Sequence, residues 1–372
     1  MPGITRHRRH TRNHTWHADL VGRALFLKAS PDPVEARAEH AGHARIRGFY
    51  PVPALRAALR AGPWTLTAYD RWPPPGHAGT LLLDLITRAG QEGCTTRLDA
   101  CLTSLITHYR EVIGNTARQA RNRETITKLY SDRAAPGGRL DAYYSADKPL
   151  QVGDSTRALR PSQLSGMPVI VNGEEHAIDF ASLITWCRER LAPEQPVWAA
   201  VLQGDPTDLN IGWSPSAGPV WFDYDTAGLN ALPGEFACFL TYQRLHGAWL
   251  TPRCNPAAFR DHPGALAAAS ATPPAVRAAV TTRTLRIDYS HDPGPARRHV
   301  IRRYLNEVVL PVAGTLGISD PARWLRPYLA MRLLAVYNLT RLHPADTALS
   351  LALLAQTLDP GTPLETLLAL TP

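Results

Sequence analysis

The stretch from Val197 to Gly228 constrains what this chain can fold into more than any other. An apolar run, Val197 to Leu202, delivers the loop Gln203-Gly204-Asp205-Pro206-Thr207-Asp208-Leu209-Asn210. A tight hairpin over Leu209 to Trp213 and Val220 to Phe222 then returns the chain to Asp223-Tyr224-Asp225. Strand, loop and hairpin in that order bring the oxygens of Asp205, Asn210 and Asp223 to one edge. Two carboxylates and a carboxamide suit a hard divalent cation that keeps several waters and bridges phosphate oxygens, as Mg²⁺ does. The first carboxylate, Asp205, is then left to orient a hydroxyl nucleophile.

The chain of 372 residues is long enough for two lobes with substantial cores. No run of eighteen apolar residues is present, so no transmembrane helix is expected. The basic stretch Met1 to His17 has no apolar segment behind it, which argues against a secretory signal and makes the cytoplasm the default location. Five widely spread cysteines without a Cys-x-x-Cys pair argue against a disulfide framework or a zinc site. The formal charge of +8 is carried by arginine: of forty cationic residues only Lys28, Lys128 and Lys148 are lysines. The arginines are dispersed and no recognition motif accompanies them, so nucleic acid is not expected as a partner. In so arginine-biased a chain, Lys28 at the end of the apolar strand Ala24 to Ala29 points to a need for a compact ammonium.

Gln203-Gly204-Asp205-Pro206-Thr207-Asp208-Leu209-Asn210 resembles the His-Gly-Asp-x4-Asn catalytic loop of the aminoglycoside phosphotransferase and choline kinase-like family. Phe222-Asp223-Tyr224-Asp225-Thr226-Ala227-Gly228 is similar to that family's metal-binding segment. The resemblance runs through landmarks from about Trp16 to Phe239. It implies an α+β, two-lobed protein kinase-like fold, with a small N-terminal antiparallel sheet plus helix and a larger, mainly helical C-terminal lobe. It also implies ATP and Mg²⁺ as cofactors. In those terms Asp205 is the catalytic base, Asn210 and Asp223 hold the metal, and Lys28 contacts nucleotide phosphates. Glu39, on the helix Pro33 to Ile46 and twelve residues before Pro51-Val52-Pro53, orients Lys28 and is preferred to Glu35. Tyr69 and Arg71 are hinge candidates for the nucleotide by position. Asp225 is a weaker candidate, and Asp208 is left outside the set. Gln203 stands where the family has a bracing His; a carboxamide can also donate and accept.

Taken in order, the chain opens with a cationic entry, a hairpin of Thr15 to Leu20 and Ala24 to Ala29 about Val21-Gly22-Arg23, and Trp64 to Ala68 as the last strand of the small lobe. No first strand and no glycine-rich phosphate loop are visible before Thr15; Thr11-Arg12-Asn13-His14 is a candidate substitute. The lobes are expected to divide near Trp72, giving 1–72 as nucleotide-binding lobe, lacking its first strand, and 73–372 as catalytic and acceptor-binding lobe. Helical spacing runs from Gly79 to about Lys128. An irregular, substrate-contacting insert is expected over 129–163, then an Asn172-Gly173 hairpin and a helix capped by Asp179. Helices are expected thereafter, including Ala265 to Ala271, Pro274 to about Leu285, Pro295 to Leu310, Pro321 to Arg341 and Thr347 to Leu358.

The leading expectation is an ATP-dependent phosphotransferase acting on a hydroxyl of a small molecule, an antibiotic or secondary metabolite. A Ser/Thr kinase acting on a precursor peptide is the alternative. A nucleotide-binding pseudokinase or partner-binding module is the third. From residue 241 onward fourteen arginines face eight acidic residues. That excess disfavours a polycationic acceptor and suits a neutral, anionic or acidic-peptide one. The oligomeric state is not set by these features.

Overall fold

Five strands, β1 (Ile4–Arg8), β2 (His14–Leu20), β3 (Arg23–Ser30), β4 (Leu55–Ala61) and β5 (Trp64–Asp70), form an antiparallel sheet in the order β1-β2-β3-β5-β4. The computed structural model describes residues 4–8, 13–20, 22–153 and 157–370. Thr11, Arg12 and Val21 therefore lie outside the described residues, as do 154–156 of the expected insert. Strand alternation sets one face of the sheet, because Thr15 lies opposite Lys28 and Lys28 opposite Thr67. In the same way His17 lies opposite Phe26, and Phe26 opposite Tyr69. Helix α1 (Pro33–Ile46) follows β3. Asp32 caps it by accepting from the N–H groups of Val34 (2.9 Å) and Glu35 (3.3 Å), and Pro33 starts the first turn. Its buried residues Glu39, Gly42, His43 and Ile46 recur at i, i+3, i+4 and i+7, one helical stripe.

The α+β class, with an antiparallel N-terminal sheet, one helix and a mainly helical remainder, is present as expected. Two strands were not. β1 pairs with β2 through Ile4–Ala18, Thr5–His17 and Arg6–Trp16, with a bulge between Arg6 and Arg8, so a first strand does precede the hairpin. Its Arg/His composition reads as a solvated tail because an edge strand is where charge is tolerated. β4, Leu-Arg-Ala-Ala-Leu-Arg-Ala, has the residues of a helix and is mostly exposed; pairing with β5 across the Gly62 turn overrides that propensity.

The chain divides into two compact units, of which the first comprises Met1–Ala117, Ala200–Asn230 and Thr251–Ala271. Besides the sheet it contains β6 (Thr80–Leu81), α2 (Leu82–Glu92), which Gly93 terminates in the left-handed conformation, and α3 (Thr96–Thr116). The apolar stripes Leu82, Leu83, Leu85, Ile86 and Leu98, Leu102, Leu105, Ile106 are buried, as their spacing predicts. The hairpin after the Gln203–Asn210 loop pairs Ile211–Ser214 with Gly218–Trp221, and its first strand also pairs with β6. Phe259 and Ala265 of the Thr251–Ala271 segment bury themselves against Leu83, with Leu81 and Leu209 packed alongside.

The second unit comprises Arg118–Ala199, Ala231–Leu250 and Thr272–Pro372. The Asn172-Gly173 turn, with φ of +50° and +89°, joins strands Pro168–Val171 and Glu174–Ala177. Asp179 caps Phe180–Arg190. The helix expected over Pro274 to Leu285 is instead a hairpin of strands Ala275–Val280 and Leu285–Ser290, the second lying parallel to Pro168–Val171. Its alanines favour a helix, but alternate residues are half-buried, and a period of two prevails once a neighbouring strand is there to pair. Within 129–163 short helices, such as Arg139–Tyr144, bury Leu140 and Tyr144, and the Tyr144 hydroxyl donates to the Leu334 carbonyl (2.8 Å). Arg139 donates to the carbonyl of Ala335 at 3.1 Å. Helices Leu232–Thr241, Pro295–Tyr304, Pro321–Ala335 and Pro344–Leu358 build the rest of this core. No helix of the described residues is long and apolar enough to cross a membrane.

Candidate nucleotide and phosphoryl-transfer site

Gln203 is fully buried and ties the loop to the segment that returns from the hairpin. Its Nε2 donates to the carbonyls of Phe222 (2.9 Å) and Asp223 (2.8 Å), and its Oε1 accepts from the Asp205 N–H (2.7 Å). A carboxamide has a donor and an acceptor to spend in this way, so the loop is braced without an imidazole. Gly204 has φ of +93°, and a Cβ there would come within 2.2 Å of the Thr226 carbonyl oxygen, so both conformation and space require glycine. Asn210 Nδ2 donates to the Asp205 carbonyl (3.0 Å), which turns the Asn210 carbonyl oxygen toward other partners. Asp223 has φ of +59°, rare for a residue with a side chain, and half of its side chain is exposed. A non-glycine residue held in this region is a feature of functional segments.

Lys28 reaches Asp223 from β3. Its Nζ donates to Glu39 Oε2 at 2.6 Å and lies 3.6 Å from Asp223 Oδ1. The Tyr69 hydroxyl donates to the other Glu39 oxygen, Oε1, at 3.0 Å. Burial by itself would lower the Lys28 ammonium, but the charges of Asp223 and Glu39 outweigh it and hold the group well above its ordinary value. Burial raises the Glu39 carboxyl, although Lys28 and Tyr69 both favour its ionised form. Burial also raises the phenols of Tyr69 and Tyr224, with Glu39 adding to it. Helix α1 can approach this segment because residue 42 is glycine: a Cβ there would lie 1.7 Å from the Tyr224 carbonyl oxygen.

A cavity of about 550 Å³ opens within the first unit, in the size range of small-molecule sites. Lys28, Glu39, Tyr69, Asn210 and Asp223 line it; Asp205 and Arg71 are not among its lining residues. The Arg71 guanidinium lies 3.5 Å from Asp19, and its N–H donates to the Ala24 carbonyl (2.9 Å). Asn13, of the segment considered as a phosphate loop, also lines the cavity. Asp84, Arg88, Asp261 and His262 line it too, together with the rings of Phe26, Trp72 and Phe222. Sequence reasoning missed these. Asp84 sits inside an apolar helical stripe, and Asp261-His262 is a polar pair between two prolines far along the chain, so neither carries a local signal. Among the described residues no group of three or more His, Cys, Asp and Glu side chains is arranged to hold a metal ion by itself. The oxygens on hand, one carboxylate and one carboxamide, match a cation that completes its shell with water and phosphate oxygens.

No protein-family model matches the chain, and no curated protein sequence does. Among solved structures the chain is similar to a thermostable mutant of the aminoglycoside phosphotransferase APH(4)-Ia in its apo form, at 14% identity over 90% of this chain and 96% of that one, with a TM-score of 0.42. It is similar to a glucosamine kinase at 13% identity over 91% and 75%, TM-score 0.42. It is also similar to a microcompartment-associated aminopropanol kinase at 11% identity over 96% and 90%, TM-score 0.36. At these values the overlap says nothing about substrate.

Proposed function

We propose that this protein is a kinase of the aminoglycoside phosphotransferase-like class, transferring the γ-phosphoryl group of ATP to a hydroxyl of a small molecule. The observation that carries the reading is the contact of Lys28 with both Glu39 and Asp223 at one wall of the cavity. It places a charged ammonium, fixed by a buried carboxylate, beside the segment that offers hard oxygen ligands. Phosphoryl transfer through a loose transition state depends mostly on such positioning and charge neutralisation.

Lys28 would hold the α/β-phosphate oxygens, with Glu39 and Tyr69 fixing its position. Asn210 and Asp223 would hold Mg²⁺, which supplies charge neutralisation at the phosphates. Asp205 would accept the proton of the attacking hydroxyl, a contribution of roughly 10²–10⁴ in rate. Gln203 and Gly204 set the path of the loop that carries it. In this reading Trp72 marks the division between 1–72 and the rest of the chain, and Tyr69 and Arg71 belong to the nucleotide side of that hinge.

The test is ATP consumption by the full chain against a panel of hydroxylated small molecules and Ser/Thr peptides, with Asp205→Asn as the control. One panel member should stimulate turnover in the parent protein. The variant should keep nucleotide affinity and lose at least a hundredfold in kcat. Undiminished turnover in Asp205→Asn would remove the base from the scheme.

A further inference from the structure

Three rings from three elements meet beside the Lys28–Glu39 pair. His43 of α1, Tyr69 of β5 and Tyr224, the neighbour of Asp223, are each 3% exposed. The ring centroids lie 5.1 Å apart for His43 and Tyr224, 5.7 Å for His43 and Tyr69, and 5.8 Å for Tyr69 and Tyr224. These are packing distances for tilted and edge-on rings. Each ring is tied to the site. Tyr69 donates to Glu39, and the Tyr224 hydroxyl donates to the Trp221 carbonyl at 2.9 Å, at the strand end that leads into Asp223. His43 lies one helical turn after Glu39, on the same buried stripe.

A carbonyl oxygen only accepts, so His43 Nε2, 2.9 Å from the Pro53 carbonyl, carries the proton of the neutral ring, and acid would add a second proton at Nδ1. The charged and titratable groups on the elements around it give that charge little support. On α1 itself stand Arg47 a turn further on and His40 and Glu39 a turn before. The sheet brings Tyr69 and Lys28, and the returning segment brings Tyr224 and Asp223. The two carboxylates of this set are already engaged by Lys28. Burial lowers the His43 imidazole and the Arg47 charge adds to that, while the Pro53 carbonyl acts in the opposite sense.

We propose that His43 is a positioning residue that joins α1 to the Asp223 segment only while its imidazole is neutral, so that acid loosens Lys28, Glu39 and Asp223 from one another and weakens nucleotide binding. This rests on the phosphotransfer reading and adds a proton-linked control to it. A histidine held neutral gives its support fully above its unfolded value near 6.5 and loses it as pH falls through the lower folded one, so the effect belongs to the range below about pH 6.5. Linkage is reciprocal: if protonation weakens nucleotide binding, bound nucleotide must lower His43 further.

The experiment is calorimetric titration of the full chain with Mg·ATP at pH 7.5 and at pH 5.5, for the parent protein and for His43→Phe, which keeps a ring in the triangle and cannot take a proton. The ratio of the two affinities should be at least tenfold larger in the parent; contributions from the nucleotide and from His7, His17 and His262 of the cavity wall cancel in that comparison. Imidazole NMR titration of the parent, with the His43 resonance assigned by its absence from His43→Gln, supplies a reading that does not depend on how the Phe variant folds. Mg·ATP should lower the His43 midpoint by about one pH unit, which is the same tenfold. A midpoint unmoved by nucleotide, or a ratio in His43→Phe within twofold of the parent's, would overturn the inference and leave the kinase reading standing. Absence of nucleotide binding at both pH values would overturn the kinase reading and this inference with it.

Discussion

The Lys28–Glu39 pair can be weighed with a double-mutant cycle, Lys28→Met and Glu39→Gln, because both side chains are nearly sequestered, at 12% and 5% exposure. Removing one partner of a buried pair costs about 3–5 kcal/mol, since the other charge is left behind. Two local features place both single variants near the lower figure. In Glu39→Gln the stranded ammonium still has Asp223 at 3.6 Å, although that carboxylate is half exposed. In Lys28→Met the Glu39 carboxyl can take up a proton, as its burial already favours. The double variant leaves no buried charge, so its loss should fall short of the sum of the singles by about 2 kcal/mol or more. Urea unfolding at pH 8 reads these values and keeps Lys28 charged in every state that contains it. A lysine raised in the fold contributes its stabilisation fully below its unfolded value of about 10.4 and loses it only as pH rises through the folded one. Additivity of the two substitutions within about 0.5 kcal/mol would refute the reasoning, because it would mean that the pair is solvated and uncoupled.

Two further outcomes test how the site is supported and how the second unit responds to acid. Gly42→Ala would gain about 1 kcal/mol from helix propensity at an open site, but here the added methyl would meet the Tyr224 carbonyl at 1.7 Å, so thermal unfolding should show a net loss and nucleotide affinity should fall with it. His291, whose Nε2 donates to the Arg244 carbonyl at 3.0 Å, is lowered by burial to about 3. A histidine held neutral stabilises the fold fully above its unfolded value near 6.5 and loses that contribution as pH falls toward 3, up to about 5 kcal/mol over the interval. His291→Gln should flatten the dependence of the melting temperature on pH between 6 and 4; an unchanged slope would show that His291 is protonated without penalty.

Much of the candidate site is legible because its parts are local in the chain. Gln203 to Asp223 is one loop and one hairpin, so the contacts of Gln203 with Asp205, Phe222 and Asp223 arise within one short stretch of chain. Lys28 and Glu39 are eleven residues apart, on a strand and the helix that follows it, so the meeting of the two demands only that both elements form. Other parts are not local. Asp84 and His262 meet where Phe259 and Ala265 are buried against Leu83 of α2, and nothing near either residue signals the other. Strand propensity misled in two further places: β1 is too basic and Ala275–Val280 too rich in alanine to be read as strands by themselves.

By itself, then, the amino-acid sequence determined the α+β class, the path of the Gln203–Asn210 loop and its hairpin, and the chemical kind of each side chain proposed for phosphate and a hard cation. Tertiary structure decided which of those side chains share a wall and what else stands beside them. The physical reason is range. Caps, turns and alternation act over a few residues, whereas burial of apolar surface joins segments more than a hundred and seventy positions apart, as it does for Asp84 and His262.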